Sequence, residues 1–181
     1  MKAIDFIKVA LKDYKVGAVA KSSKYTVRAI LKQVRPGYKL VVEYGAGDGV
    51  ITKELLSRLP HDAKVVAVEL NKDFVALLND IKDDRLAVKD EDVLRVSENF
   101  TAAGAKDADT VISGIPFSFF SPATREAIVK NTHKNLRPGG VFIVYQYSPL
   151  MLPVLKKHFK RVTMTLEPRN IFPYFIMVAE K

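Results

Sequence analysis

The sequence predicts a doubly wound α/β fold: a mostly parallel seven-stranded sheet with helices on both faces, its last two strands following one another at the C-terminal end. Three observations carry this expectation. From Lys39 onward, short apolar runs alternate with stretches of helical periodicity. The first run ends in Glu43-Tyr44-Gly45-Ala46-Gly47-Asp48-Gly49, a glycine-rich turn placed where a strand passes into a helix. After residue 146 the alternation stops, and two strand-like runs follow, joined through Pro168 and Pro173.

The elements are expected in the following order. Ile4, Ile7, Leu11 and Tyr14 fall at helical spacing over 2–14, with Lys2, Asp5, Lys8, Lys12 and Lys15 on the other side. This describes an amphipathic helix with a basic polar face, ended by Gly17. Ser22 or Ser23 caps a second helix to about Val34, where Pro36-Gly37 stops it. Strands follow at 39–43, 64–69, 85–89, 109–113 and 140–146, and helices at 49–59, 71–81, 92–102 and 122–135. Leu136-Arg137-Pro138-Gly139-Gly140 reads as the turn into the fifth strand. A short helix near 149–158 precedes the runs Arg161 to Leu166 and Tyr174 to Ala179. The whole chain reads as one domain, with basic helices over 1–35 and a core over 36–181.

Composition excludes several chemistries. The chain has no cysteine, which removes disulfides, thiolate nucleophiles and Cys-ligated metals. His61, His133 and His158 are far apart in sequence without i, i+4 pairing, so no metal site is expected. No apolar run reaches the roughly 18 residues of a spanning helix, and the N-terminus lacks the apolar stretch of a secretory signal. The expected location is cytoplasmic, at the membrane periphery. The net charge of +9 is uneven: Met1 to Leu40 holds ten basic residues against Asp5 and Asp13, a net +8. Such a patch favours an anionic surface, lipid headgroups or nucleic acid.

Ligands of an open parallel sheet sit beyond the carboxyl ends of its strands. At the first end the glycines let the turn tighten and the backbone approach a ligand closely. A dinucleotide fingerprint spaces its glycines G-x-G-x-x-G; here the third comes one position early, and Glu43 stands two residues before the first. Glu69 ends the second strand, where a carboxylate suits the two hydroxyls of a ribose. The third end carries Asp90-Glu91-Asp92, where an acid can accept from an adenine amine, with a helix N-cap as the alternative.

The Glu-x-Gly-x-Gly-x-Gly pattern resembles motif I of the class I S-adenosylmethionine-dependent methyltransferases, whose Rossmann-like sheet usually ends in an antiparallel hairpin. The resemblance implies S-adenosylmethionine as cofactor, held by Glu43, Gly45, Ala46 and Gly47 at its amino-acid end and by Glu69 at its ribose. Matching Asp92-Val93-Leu94 to the family's Asp-Ala-Leu assigns the adenine to Asp92, with Asp90 as the alternative.

The fourth strand end reads Ser113-Gly114-Ile115-Pro116-Phe117. Adenine-methylating members show Asn-Leu-Pro-Tyr or Asn-Pro-Pro-Tyr here; this chain keeps Pro-aromatic but lacks the Asn, so a nucleic-acid acceptor is not expected. The run instead resembles that of soluble bacterial phospholipid N-methyltransferases. So do Val16 to Ser23, Arg137-Pro138-Gly139-Gly140, Tyr145-Gln146-Tyr147-Ser148-Pro149 and Arg169-Asn170-Ile171-Phe172-Pro173. Lys21, Ser148 and Phe172 depart from that family's residues. The resemblance implies stepwise methylation of phosphatidylethanolamine toward phosphatidylcholine at a membrane; an RNA adenine or another aminolipid is the alternative acceptor. Ser113 is placed at the cofactor and, with Tyr147, at the catalytic contact. Tyr25, Pro116, Phe117, Tyr147 and Arg169 are the expected substrate contacts, with Phe119, Phe120 and Tyr145 as further aromatic candidates. Aromatic faces attract methylated ammonium groups, and Arg169 suits a lipid phosphate. Lys2, Lys8, Lys12 and Lys15 are expected to meet anionic headgroups.

Overall fold

The computed structural model describes residues 23–169 and 173–181. The helix expected over 2–14, with Lys2, Lys8, Lys12 and Lys15, lies outside the described residues, as do Asn170, Ile171 and Phe172.

Seven strands form one sheet: β1 (Leu40–Tyr44), β2 (Lys64–Glu69), β3 (Leu86–Asp90), β4 (Ala108–Ser113), β5 (Leu136–Gln146), β6 (Arg161–Glu167) and β7 (Tyr174–Glu180). Their order is β3-β2-β1-β4-β5-β7-β6. The first five run parallel; β7 pairs antiparallel with β5, and β6 with β7. The helices are α1 (Lys24–Leu31), α2 (Val50–Arg58), α3 (Lys72–Asn79), α4 (Val93–Glu98), α5 (Phe100–Ala103), α6 (Pro122–Asn135) and α7 (Leu152–His158).

Valines dominate β1 and β2 because both faces of a parallel sheet are covered. Val41, Val42 and Val65 to Val68 are fully buried. Alternation sends Val42, Tyr44, Val111 and Val144 to the face of α4 to α7. Val41, Ile112, Ile143 and Tyr145 go to the face of α1 and α2. Each buried valine contributes on the order of 1.5–3 kcal/mol.

Three boundaries differ from expectation. α1 begins as expected, with Ser23 Oγ accepting from Thr26 N at 3.3 Å, but ends at Leu31, and Val34 lies in a following turn. The helix expected over 92–102 is two, because Asn99 leaves helical geometry (φ −133°, ψ 63°) and its side chain caps the second piece. β5 begins at Leu136 rather than Gly140: Leu136 pairs with Ala108, and a register shift before Thr110 absorbs the intervening residues.

The chain builds β1, β2 and β3 outward in one direction, then returns to place β4 on the other side of β1. The crevice between the carboxyl ends of β1 and β4 is therefore the topological switch point, where ligands of such sheets bind.

Candidate active site

The turn after β1 is fixed by the neighbouring strand. Gly45 N and Ala46 N both donate to Val68 O, at 2.8 and 3.3 Å. Gly45 and Gly47 have φ of +72° and +56°, a conformation that other residues adopt only with strain. A Cβ on Gly45 stands 2.8 Å from the Ile115 side chain, whereas one on Gly47 meets nothing within 4 Å. Gly45 is thus closed by the β4 loop, and the space over Gly47 is open to a ligand lying on the backbone.

Glu69 ties this turn to the second strand end. Its Oε2 accepts from Gly47 N at 2.9 Å, and its Oε1 accepts from Leu70 N and Asn71 N at 2.8 and 2.9 Å. An ionised carboxylate has about four acceptor sites, so one stays available for a ribose hydroxyl.

The other acids are placed differently from the simplest expectation. Glu43 is 1% exposed and faces α2, where Thr52 Oγ1 donates to it at 2.6 Å. It lies beneath the glycine turn, not in the open crevice. Burial pushes its carboxyl up to about 8, opposed by the Thr52 bond and assisted by the negative charges of Glu69 and Asp48. Asp92 serves as the N-cap of α4, its Oδ1 accepting from Leu94 N at 2.7 Å. Asp90 forms an ion pair with Lys72.

At the end of β4, Ser113 pairs in register with Tyr44 and Val144. Its side chain therefore joins the α6 face, fully buried, and its Oγ has no hydrogen-bond partner. It is separated from the tyrosines at the end of β5, which occupy the opposite face, so a direct catalytic contact shared by Ser113 and Tyr147 is not what the fold provides. Gly114 N donates to Tyr44 O at 3.1 Å, and the Tyr145 ring lies so close to Gly114 that no Cβ fits there. Tyr145 meets Tyr174 edge-on at 5.7 Å; Tyr174 stacks on Tyr147 at 4.3 Å and donates to its hydroxyl at 2.7 Å. Tyr147 is 43% exposed.

The remaining acceptor candidates divide. Phe117 is 0% exposed and belongs to the core beneath a 3-10 turn, which corrects its expected place in the acceptor wall. Pro116 precedes that turn and is half-buried, while Phe119 is exposed and Phe120 packs against the core. Arg125 holds the loop from α6, donating to Phe117 O at 2.8 Å and Ser118 O at 3.3 Å. Arg169 is also corrected: its guanidinium donates twice to Glu167, each at 2.8 Å, and lies 4.6 Å from the Tyr25 ring centre. Tyr25 thus already carries a cation. Tyr174, Glu167, Thr52 and Arg125 were not singled out from the sequence. Tyr174 read only as a strand residue, and its meeting with Tyr147 depends on the register of two distant strands.

The residues present fit a nucleoside cofactor with an amino-acid tail. The backbone over Gly47 is open, Glu69 retains acceptor capacity, and the buried Ser113 hydroxyl at the switch point is unsatisfied. The methyltransferase domain family matches residues 41–140, more than half of the chain. The chain belongs to this family, as a class I S-adenosylmethionine-dependent methyltransferase.

The methyltransferase is similar, at 29% identity over 162 residues, to the ornithine lipid N-methyltransferase of Singulisphaera acidiphila, covering 87% of this chain and 84% of that protein. It is 33% identical over 98 residues to ribosomal RNA small subunit methyltransferase A of Thiobacillus denitrificans, covering 53% of this chain but 36% of that protein. Among solved structures, Burkholderia thailandensis 1,6-didemethyltoxoflavin-N1-methyltransferase, with its acceptor and S-adenosylhomocysteine bound, has a TM-score of 0.73 at 18% identity. That likeness covers 99% of this chain and 86% of the other, and bears on the fold alone.

Proposed function

We propose that this methyltransferase transfers methyl groups to the primary amine of a zwitterionic membrane aminolipid, with phosphatidylethanolamine and its methylated intermediates as acceptors. The observation that carries the reading is the similarity to an ornithine lipid N-methyltransferase over nearly the full length of both chains. Ornithine lipid and phosphatidylethanolamine share the relevant chemistry: a primary alkylamine close to an anionic group on an acylated headgroup. Ser113-Gly114, in place of an asparagine, also lacks the carboxamide that would accept from an adenine amine.

S-adenosylmethionine supplies an electrophilic methyl on a sulfonium. The acceptor amine must be neutral to take that methyl, which the cofactor, held over the Gly47 backbone and by Glu69, would supply; the nitrogen lone pair would form the N–C bond and the electrons of the broken C–S bond would stay on sulfur. The product ammonium then loses a proton to water before another round, until no N–H remains. The protein's contribution is positioning and exclusion of water. Glu69 and the Val68 carbonyl hold the glycine turn, Ile115 closes it, and Arg125 anchors the loop that follows β4.

A lipid acceptor requires an interface. No helix among the described residues is long and apolar enough to cross a membrane. The basic Met1 to Leu40 segment is proposed to bring the enzyme to anionic headgroups on the cytoplasmic membrane through Lys2, Lys8, Lys12 and Lys15.

The test supplies labelled S-adenosylmethionine with vesicles of phosphatidylethanolamine, vesicles of ornithine lipid, or unmodified ribosomal RNA. Label in the phosphatidylethanolamine arm supports the reading as stated; label only in ornithine lipid narrows it to that class. Label confined to RNA overturns it. Sedimentation with anionic vesicles at low and high salt, with and without residues 1–14, tests the membrane contact.

A further inference from the structure

We infer that two adjoining clefts at the end of α1 bind one molecule of an anionic phospholipid, its phosphate in a basic cleft and an acyl chain in an apolar one. The site is remote from the cofactor crevice, so the lipid held there is not the one being methylated.

The first cleft, of about 270 Å³, lies between the end of α1 and the β6–β7 hairpin. Lys32, Arg35 and Arg161 line it with Gln33 and Thr163, against one acid, Glu180. The second, of about 360 Å³, lies between α1 and α2, with Leu31, Val34, Pro36, Leu55 and Leu59 along it. Lys32 and Arg35 line both clefts, and Arg58 borders the second. Joined in this way, they reach the size of a small-ligand site. Arg161 opens β6, Glu180 closes β7, and Leu59 follows α2. All three positions fall at the amino ends of the parallel strands, whereas Glu43, Glu69 and Ser113 stand at the carboxyl ends.

Positive charge gathers here without acids to match it. Elsewhere arginines meet carboxylates: Arg85 with Asp83, Arg137 with Asp109, Arg169 with Glu167. Among the described residues Lys32 and Arg35 form no ion pair, and Arg161 reaches Glu180 only at 3.9 Å. Glu167, the other acid whose charge Lys32 meets, is already held by Arg169. A phosphodiester offers one negative charge on two free oxygens, which suits the planar fork of an arginine with a lysine beside it.

The apolar half decides between anions. Free phosphate or a nucleic-acid backbone fills the basic cleft and leaves the second one wet. An acyl chain covers Leu31, Val34, Leu55 and Leu59, and each methylene taken from water strengthens binding about fourfold. Lys32 and Arg35 stand at the junction, where a long apolar stem with a charged end serves both halves of an amphiphile. A lipid seated here fastens the protein to a bilayer and adds to the attraction of its basic leading segment.

The experiment uses the full chain, the double variant Lys32→Gln with Arg35→Gln, and Val34→Asp, none of them at a fully buried position. Calorimetry measures binding of dihexanoylphosphatidylglycerol below its micellar concentration. Dihexanoylphosphatidylcholine, inorganic phosphate and a short RNA are the comparison ligands. The wild type is expected to bind the anionic lipid at least about tenfold tighter than the other lipid or phosphate. Both variants are expected to lose at least about tenfold for that lipid, yet to bind S-adenosylhomocysteine as the wild type does. Equal lipid affinity in the wild type and either variant overturns the inference. Phosphate or RNA bound as tightly as the lipid overturns it too, leaving only an anion patch. So does a wild type that binds no lipid, the result expected if residues 1–22 or a partner protein fill the clefts. No methyl transfer is read, so this outcome is separate from the identity of the acceptor proposed above.

Discussion

The hydroxyl of Tyr145 lies 2.2 Å, and its ring carbon Cζ 2.5 Å, from the point where a Cβ on Gly114 would stand. The absence of a side chain at Gly114 therefore leaves the room that the Tyr145 ring occupies. Gly114→Ala forces Tyr145 from its place, at about 1–3 kcal/mol for overpacking a tight site. The expected result is a folded protein with a lower Tm and at least a tenfold loss of kcat/KM, read by thermal unfolding and labelled-methyl transfer. Wild-type turnover in Gly114→Ala would show that Tyr145 can leave without consequence.

Glu69 holds the glycine turn and the start of α3 together through three backbone N–H groups. Glu69→Ala leaves the N–H groups of Gly47, Leu70 and Asn71 without their acceptor. Each costs about 1–3 kcal/mol where water does not replace it. Cofactor affinity is expected to fall at least a hundredfold, measured by titration calorimetry. Gly45→Val is expected to do the same by a different route, since the Ile115 side chain occupies the space and the backbone is left-handed. Wild-type affinity in either variant removes the turn from the binding site.

The parts of this arrangement that were legible in sequence are those set by local chemistry. Short apolar runs placed all seven strands, and the acids that close the first two, with glycines after the first, mark the carboxyl ends of β1 and β2. Asp92 allowed two readings, adenine contact and helix cap, and the fold uses its Oδ1 for the cap. Phe117 looked available because it follows a strand end, yet the 3-10 turn rotates it into the core. Tyr174 and Tyr147 lie 27 residues apart and meet only through β5–β7 pairing, which no local pattern specifies. Glu167 and Arg169 are two residues apart, but their pairing depends on how the chain leaves β6.

That pairing yields a separate prediction. Glu167 is held down to about 2, mainly by its hydrogen bonds from the Arg169 side chain, so it remains ionised at any working pH. Ser23 Oγ donates to Arg169 O at 2.9 Å, and the Tyr25 ring lies under the guanidinium, so this group fastens α1 to the end of β6. Glu167→Gln keeps the shape and removes the charge. The expected effect is a lower urea midpoint with little change in the KM for lipid. A large rise in KM at unchanged stability would instead return Arg169 to a substrate role.

Glu43 gives the molecule a pH dependence of predictable sign. In an unfolded chain it titrates near the ordinary glutamate value of about 4.3; in the fold, burial chiefly raises it to about 8. Between these values the folded state binds more protons than the unfolded state, so stability declines as pH rises. The contribution is complete below the unfolded value and lost above about 8, at about 1.4 kcal/mol for each unit of separation. Glu43→Gln retains an oxygen to accept from Thr52 but cannot ionise. Urea unfolding from pH 5 to 9 should show the wild type losing stability relative to the variant as pH rises, with the two close at the acid end. A cationic ligand near the turn draws Glu43 toward its carboxylate, so cofactor affinity should climb with pH in the wild type and stay level in the variant. Parallel stability curves for the two proteins would mean that Glu43 is already ionised in the fold, and that Thr52 and solvent support its charge.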